Sequence, residues 1–457
     1  MTDRPVQPPD PTRRRFFREF AGDVLSSVGS VVGVAQVLQQ QSAEAARDLL
    51  AGDPAAPGAT AGARVSAVGP EIPASTAGWR APFRWDGDVC LVVDQRRLPD
   101  VLVDLEVRGA ADAVTAIRDG AIVGGAVQAQ LAAVTLALVA GRARASRAFA
   151  RRATIRGAAS ALRSARPGSA AVGQAVDRML ALLATFDNQA SGEAVEAALR
   201  AEAEAMIGEA SMDHGALVGH ALTELPGEPG TPLRVLTTGS TGAMGSGQFG
   251  TALSAIVTLH HEGRPIHALV AETRPGLEGA RVAAWELAQA GVAHALVTDG
   301  AAPGCIAGGD VDAVLVSAER IAANGDVIGV AGTYPLALAA SAAGIPFLVL
   351  AATPAVDPAT PDGTSAPREE GRPGPVLLAG GTRVAAEGTA VRNPRLDLTP
   401  AALVSAIVTE EGVARAPFAA TLAAHVEAAA ARRSAASGFR ALLDEAAAEA
   451  RAGTASS

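Results

Sequence analysis

Aromatic residues are scarce in this chain: 3% of 457 residues, with a single tyrosine. Its core must therefore be built from Ala, Val and Leu, which supply much of the 49% hydrophobic fraction. Cysteine is scarcer still. Cys90 and Cys305 lie far apart, which excludes a CxxC redox or zinc pattern and a disulfide framework. The seven histidines are scattered, with His260 beside His261. None shows the H-x-x-x-H spacing with acidic ligands, so neither a metal nor a cofactor is expected. Positive charge is also short, 38 basic against 47 acidic residues, a net −9. That excludes the basic stripe of a general nucleic-acid binder. A membrane span is not expected near the N-terminus either. The stretch from Val24 to Leu38 is too short and too polar to span a bilayer.

What is abundant is punctuation. Forty-nine glycines and 28 prolines suit an α/β chain with many tight connections. Residues 1–50 read as an N-terminal helical extension, because Phe16, Phe20, Val24, Val28 and Val31 recur at helical spacing. The alternative is a twin-arginine export signal, with Arg13, Arg14 and Arg15 ahead of Phe16 and Phe17 and Ala43-Glu44-Ala45 as the cleavage site. Glu19 and Asp23 fall where such a signal is apolar, so the helix and a cytoplasmic location are expected. Residues 51–78, rich in Ala, Gly and Pro, read as a linker. Residues 79–225 open with a hairpin-like "FRWDG…DVCLVVDQRRLP" and continue in helical pattern as a mostly helical domain with a small sheet. In residues 231–413, short apolar runs ("LRVLT", "HALVAE", "HALVTD", "DAVLVSA", "PFLVLAA") alternate with helical spacers. That alternation predicts a parallel, Rossmann-like sheet covered on both faces. Residues 414–457 read as a helical tail.

Ligands bind parallel sheets at the carboxyl ends of the strands. The residues that follow these runs include Glu272, Arg274, Glu278, Arg281, Asp299, Cys305, Glu319 and Arg320, a polar crevice for a small hydroxylated ligand. The glycine-rich "VLTTGSTGAMGSGQFG" heads a helix, so its N–H groups can face an anion. It carries no Walker lysine and no G-x-G-x-x-G with a ribose-binding acid, and a plain strand-to-helix turn explains it equally well. Cys305 reads as a small buried apolar loop residue, and Cys90 as strand core.

From "VDAVLVSAERIAANGDVIGVAGTYPLAL" outward, the chain resembles the methylthioribose-1-phosphate isomerase family, whose fold is shared by regulatory subunits of initiation factor 2B. The matching segments follow in order: "LVVDQRRLP", "LEVRGAADAVTAIRDGAIVGG", "ARP", "ETRPGLEGARVAAWELAQAG", "VTDG", "PDG" and "GTAVRNPRLDLTPAALVSAIVTEEGV". The likeness runs from about Arg84 to Phe418. It implies an N-terminal mostly helical domain with a small sheet, a C-terminal Rossmann-like domain, a homodimer, and aldose–ketose isomerisation of a sugar phosphate in methionine salvage.

Residue by residue, the resemblance implies a changed site. The family's catalytic cysteine falls at Gly239, in a loop Gly239-Ser240-Thr241-Gly242 that is expected to bind substrate. The catalytic aspartate becomes Glu319. A phosphate-binding arginine becomes Val123, beside Gly124, while a second is kept as Arg166. The substrate-binding glutamine becomes Glu278, and an Asn-Lys pair becomes Gly329-Val330. The expected function is a diverged isomerase acting on a sugar phosphate or related sugar, with Glu319 as its acid–base group and Arg166, Gly124, the 239–242 loop and Glu278 around the ligand. The alternative is a non-catalytic ligand-binding or regulatory protein like the initiation factor 2B subunits.

Overall fold

Two sheets and a helical layer meet around one crevice. The computed structural model describes residues 67–74, 80–228, 230–379 and 381–454. The extension at 1–50 lies outside the described residues, as does most of the 51–78 stretch. Part of that expected linker is a strand: β1 (Ala67–Pro73) pairs antiparallel with β4 (Val101–Val107) through a bulge between Val68 and Ile72. Its prolines are tolerated because β1 is an edge strand in the order β1-β4-β3-β2, with β2 (Phe83–Asp86) and β3 (Val89–Val93) forming the hairpin.

Five helices follow: α1 (Ala110–Arg118), α2 (Gly125–Arg142), α3 (Ala148–Ala165), α4 (Ala170–Thr185) and α5 (Gly192–Leu222). Helix α2 is apolar nearly all round and is buried from Val127 to Ala140. It is long and apolar enough to cross a membrane, but here it is the central rod against which α3, α4 and α5 pack. Ser191 starts the long α5 by accepting the Ala194 N–H at 3.1 Å.

The remaining strands are β5 (Leu233–Thr237), β6 (Ile266–Ala271), β7 (Ala293–Val297), β8 (Ala313–Val316), β9 (Arg320–Ala322), β10 (Val327–Val330), β11 (Phe347–Leu350), β12 (Val356–Asp357), the small pair β13 (Leu378–Ala379) and β14 (Thr382–Arg383), β15 (Leu396–Thr399), β16 (Ala406–Thr409) and β17 (Gly412–Ala414). Seven of them form one sheet in the order β17-β16-β11-β8-β5-β6-β7, parallel except for the β17 edge. β8, β11 and β16 are buried along their whole length, which is why they read as unbroken apolar runs. Chain order reverses between β5 and β8, as in the Rossmann arrangement, so a crevice opens at their carboxyl ends. A smaller sheet, β12-β9-β10-β15, stands beside it.

The glycine-rich loop leaves β5 at that crevice and runs into a one-turn helix α6 (Ala243–Ser246), then α7 (Ala252–His261). It is pinned from below. Glu286, in α8 (Ala284–Ala290), sends a buried carboxylate to the Met244 N–H at 3.1 Å, and the Ala243 N–H acts on the same group. A Cβ on Gly242 would lie 2.4 Å from Glu286 Oε2, so only glycine leaves room for it. Gln95 and Gln130 hold the loop from the other side, donating to the Met244 and Ser246 carbonyls at 2.9 and 2.7 Å.

Leu136 is fully buried in α2. Leu136→Ala is expected to cost about 2–5 kcal/mol of unfolding free energy, measured by denaturant titration. Burial raises Glu286 from 4.5 to about 7. Between those values the folded chain holds a proton that the unfolded chain has released, so this group's contribution to stability falls as pH rises through the window. Glu286→Gln should remove that slope: its unfolding free energy should change less than the parent's between about pH 5 and about pH 8, by up to roughly 3 kcal/mol.

Candidate active site

The cavity at the switch point encloses about 1100 Å³. The end of β5 gives it Thr238, Gly239, Ser240 and Thr241, and the end of β8 gives Ser317, Ala318 and Glu319. The helical layer closes the opposite wall with Gly124, Gly125, Arg166 and Pro167. That wall is close. Gly124 has φ +108°, and a Cβ there would lie 2.1 Å from the Gly245 carbonyl oxygen, so the start of α2 rests directly on the loop backbone.

Charge concentrates on one side. Arg166, 4% exposed, is held between two carboxylates: its Nη2 lies 2.8 Å from Glu319 Oε1, and its Nη1 lies 2.8 Å from Glu369 Oε2. Glu369 also accepts the Gly168 N–H at 2.8 Å. Taking charges out of water is costly unless they are paired in good geometry, and this trio provides it. Backbone bonds fix Glu319 as well, since its N–H donates to Ile328 O and its carbonyl accepts the Ala170 N–H, both at 2.9 Å. Its second oxygen, Oε2, is buried without a hydrogen-bond partner. A Cβ on Gly125 would sit 2.7 Å from both Glu319 Oε2 and Ser169 Oγ, and that serine oxygen is unpartnered too.

Glu278 and Arg395 complete the charged wall. Desolvation holds the Glu278 carboxyl above its ordinary value, opposed by its own backbone N–H and by Arg395, Arg166 and Arg281. Farther along, His214 is fully enclosed with Nδ1 unpartnered, and burial pushes it down to about 4, which leaves a neutral imidazole. Its neighbour Asp213 is raised to about 6 by burial, although Arg432 lies 2.8 Å away.

Of the residues singled out in the sequence, Gly124, Arg166, Gly239 and Ser240 line the cavity, as do Thr241, Glu278 and Glu319. Gly242 does not; it lies behind the loop, making room for Glu286. At Gly239, where the resemblance places a thiol, φ is +79° and a side chain would begin 3.4 Å from Val330. The polar crevice expected at the strand ends is only partly realised. Arg274 reaches the cavity, but Glu272, Arg281, Asp299, Cys305 and Arg320 do not. Asp299 instead accepts the Thr273 and Arg274 N–H groups at 2.8 and 2.6 Å, steadying the turn after β6. Arg320 pairs with Asp357, and Arg281 donates to the Arg96 carbonyl at 3.0 Å.

Glu369, Arg395, Ser169 and His214 went unread in the sequence. Glu369 lies in "PREEGRP" and Arg395 in "VRNPRLDL", segments whose charged residues look like solvated loop. Their only signal would have been spatial convergence on Arg166. Among the described residues no His, Cys, Asp or Glu cluster could hold a metal ion.

The comparisons with known proteins agree with this fold. The Initiation factor 2 subunit family matches residues 122–416. A methylthioribose-1-phosphate isomerase of Chloroflexus aurantiacus is 38% identical over 338 residues, covering 74% of this chain and 96% of that protein. The crystal structure of 5-methylthioribose 1-phosphate isomerase from Pyrococcus horikoshii OT3 superposes with a TM-score of 0.68 at 28% identity, covering 78% of this chain and 98% of that one. The translation initiation factor eIF-2B subunit delta from A. fulgidus superposes with a TM-score of 0.63 at 27% identity, covering 76% and 99%. With that much of its length matched in sequence and in fold, the chain belongs to the Initiation factor 2 subunit family, alongside its methylthioribose-1-phosphate isomerases.

Proposed function

We propose that the protein is an aldose–ketose isomerase of the methylthioribose-1-phosphate isomerase kind, acting on a sugar phosphate with Glu319 as its acid–base group. The observation that carries this reading is the asymmetry of Glu319. One oxygen is anchored on Arg166 at 2.8 Å, while the other is enclosed beside the cavity without a partner. The anchored oxygen fixes the carboxylate, and the free one is available to a substrate hydroxyl.

The chemistry needs little else from the chain. Ring opening breaks the bond between C1 and the ring oxygen, which takes a proton and leaves C1 electron-poor. The C2 hydrogen then passes to C1 with its electron pair, and the 2-hydroxyl loses its proton as C2 becomes the carbonyl carbon. One proton enters at the ring oxygen and one leaves the 2-hydroxyl, and Glu319 carries that exchange. The loop from Gly239 to Thr241 holds the sugar hydroxyls, and the apposed helical wall keeps bulk water out. No thiol is needed for this route.

A second reading is a non-catalytic ligand-binding protein comparable to the eIF-2B subunit. It is favoured by Gly239, whose backbone geometry and Val330 neighbour leave no reactive group at that position. Turnover separates the two readings. With methylthioribose 1-phosphate or ribose 1-phosphate, the purified protein should produce ketose signals in proton NMR. Silence accompanied by saturation transfer from the bound sugar would favour the binding protein. Glu319→Gln should lower kcat by about a hundredfold or more. Its melting temperature should stay near the parent's, because the amide still offers Arg166 an acceptor and Glu369 still pairs with it. An equal loss of stability would mark Glu319 as structural.

A further inference from the structure

Arg166 and Arg395 both line the cavity, yet they differ in what is left for a ligand. Arg166 has each terminal nitrogen on a carboxylate. The Arg395 guanidinium forms no ion pair or hydrogen bond with any described residue, although it stands within electrostatic reach of Glu278, Glu319, Glu369 and Arg166. Its backbone is nevertheless fixed. The Arg395 N–H donates to Glu369 O at 2.9 Å, its carbonyl accepts the Ala331 N–H at 3.0 Å, and the next residue begins β15 against β10. The side chain is half-buried, and burial together with the Arg166 charge lowers its pKa below the ordinary arginine value. A cation in that position gains from an incoming anion.

The other arginines of the wall are not equivalent. Arg178 is tied to Glu202 and Glu209, and Arg372 to Asp119. Arg368 and Arg118 are exposed to solvent, Arg118 donating to the Ser164 carbonyl at 3.3 Å, and Arg274 donates to the Pro375 carbonyl. Arg433 comes from the C-terminal helix α9 (Phe418–Thr454), next to the partner of Asp213. The chain contains no lysine, all 38 basic residues being arginine, so no ammonium can substitute. Without Arg395, the cluster around Glu319 would set the saturated Arg166 guanidinium against Glu278, Glu319 and Glu369, which repels anions.

We propose that Arg395 is the anion-binding residue of this cavity and takes the phosphate of a phosphomonoester ligand as a guanidinium fork beside Glu319. Planar, bidentate recognition is what arginine offers a phosphate, and charge-assisted bonds of this kind are strong. The identity of the sugar rests on the isomerase reading; the anion contact itself rests on the unpaired guanidinium.

The test is inorganic phosphate binding by the full-length protein, followed by isothermal calorimetry and 31P line broadening, in the parent and in Arg395→Gln, Arg395→Ala and Arg395→Lys. The glutamine variant keeps most of the side-chain volume should alanine fail to fold. Arg395→Gln and Arg395→Ala are expected to weaken phosphate about ten- to a hundredfold, and Arg395→Lys less. With methylthioribose 1-phosphate, the expected signature is a raised KM with a smaller change in kcat. Equal phosphate affinity in the parent and Arg395→Gln, or no phosphate binding by the parent, would overturn the proposal. Arg395-dependent phosphate binding without turnover would leave it standing while the isomerase reading falls. Turnover with an unchanged KM in Arg395→Gln would do the reverse.

Discussion

The buried guanidinium of Arg166 is the interaction on which the site depends. It binds three distant segments together: the start of α4 through its own backbone, the end of β8 through Glu319, and the loop after the small sheet through Glu369. Truncating a partner of such a group so that no acceptor remains typically costs about 3–5 kcal/mol, because the charge left behind has no water to turn to. That penalty holds the helical layer against the sheet at the point where the cavity opens. It also sets the geometry of Glu319, since a carboxylate committed on one oxygen presents the other in a single direction.

Close backbone approach is the second constraint. The start of α2 can reach the loop after β5 only because Gly124 lacks a side chain, the loop can fold back on its own Ser240 carbonyl only because Gly245 does, and Glu319 can point where it does only because Gly125 leaves the space. The loop that raised the question of phosphate binding is thus a piece of tight packing, braced by Glu286 beneath and two glutamines beside it. Its residues line the cavity from a backbone with little freedom to move. Rigidity of this kind suits a site that must hold a reacting group to within a fraction of an ångström.

Much of the architecture was legible in the sequence. Strands β5, β6, β8 and β11 stood out because parallel strands inside the sheet leave apolar runs, and β7 shares the apolar pattern although it is an open edge; the carboxyl-end rule then pointed to Gly239 and Glu319. β1 was hidden because an edge strand with two prolines and a bulge has the composition of a linker. The crevice was drawn too widely, because sequence shows that a residue follows a strand but not which way its side chain turns. Asp299 and Arg320 turn to neighbouring backbone and to Asp357, not to the ligand space. Glu369 and Arg395 were missed for the opposite reason: they arrive from irregular segments, where no periodicity marks a buried charge.

The cavity wall draws on residues from Arg118 to Arg433, and its buried anchors Arg166, Glu278, Glu319 and Glu369 are far apart in sequence. Loop-closure entropy must be met for every one of these long-range contacts before any ligand contact exists. Ligand binding is thereby coupled to the last stages of folding, so the holo protein gains cooperativity that neither layer has alone. Trp85 lies in the first sheet under Arg200, whereas Trp285 is buried against the loop support with its indole N–H on Ala74 O. The two indoles therefore sit in different surroundings, one at the first sheet beneath a guanidinium and one at the seam between that sheet and the loop.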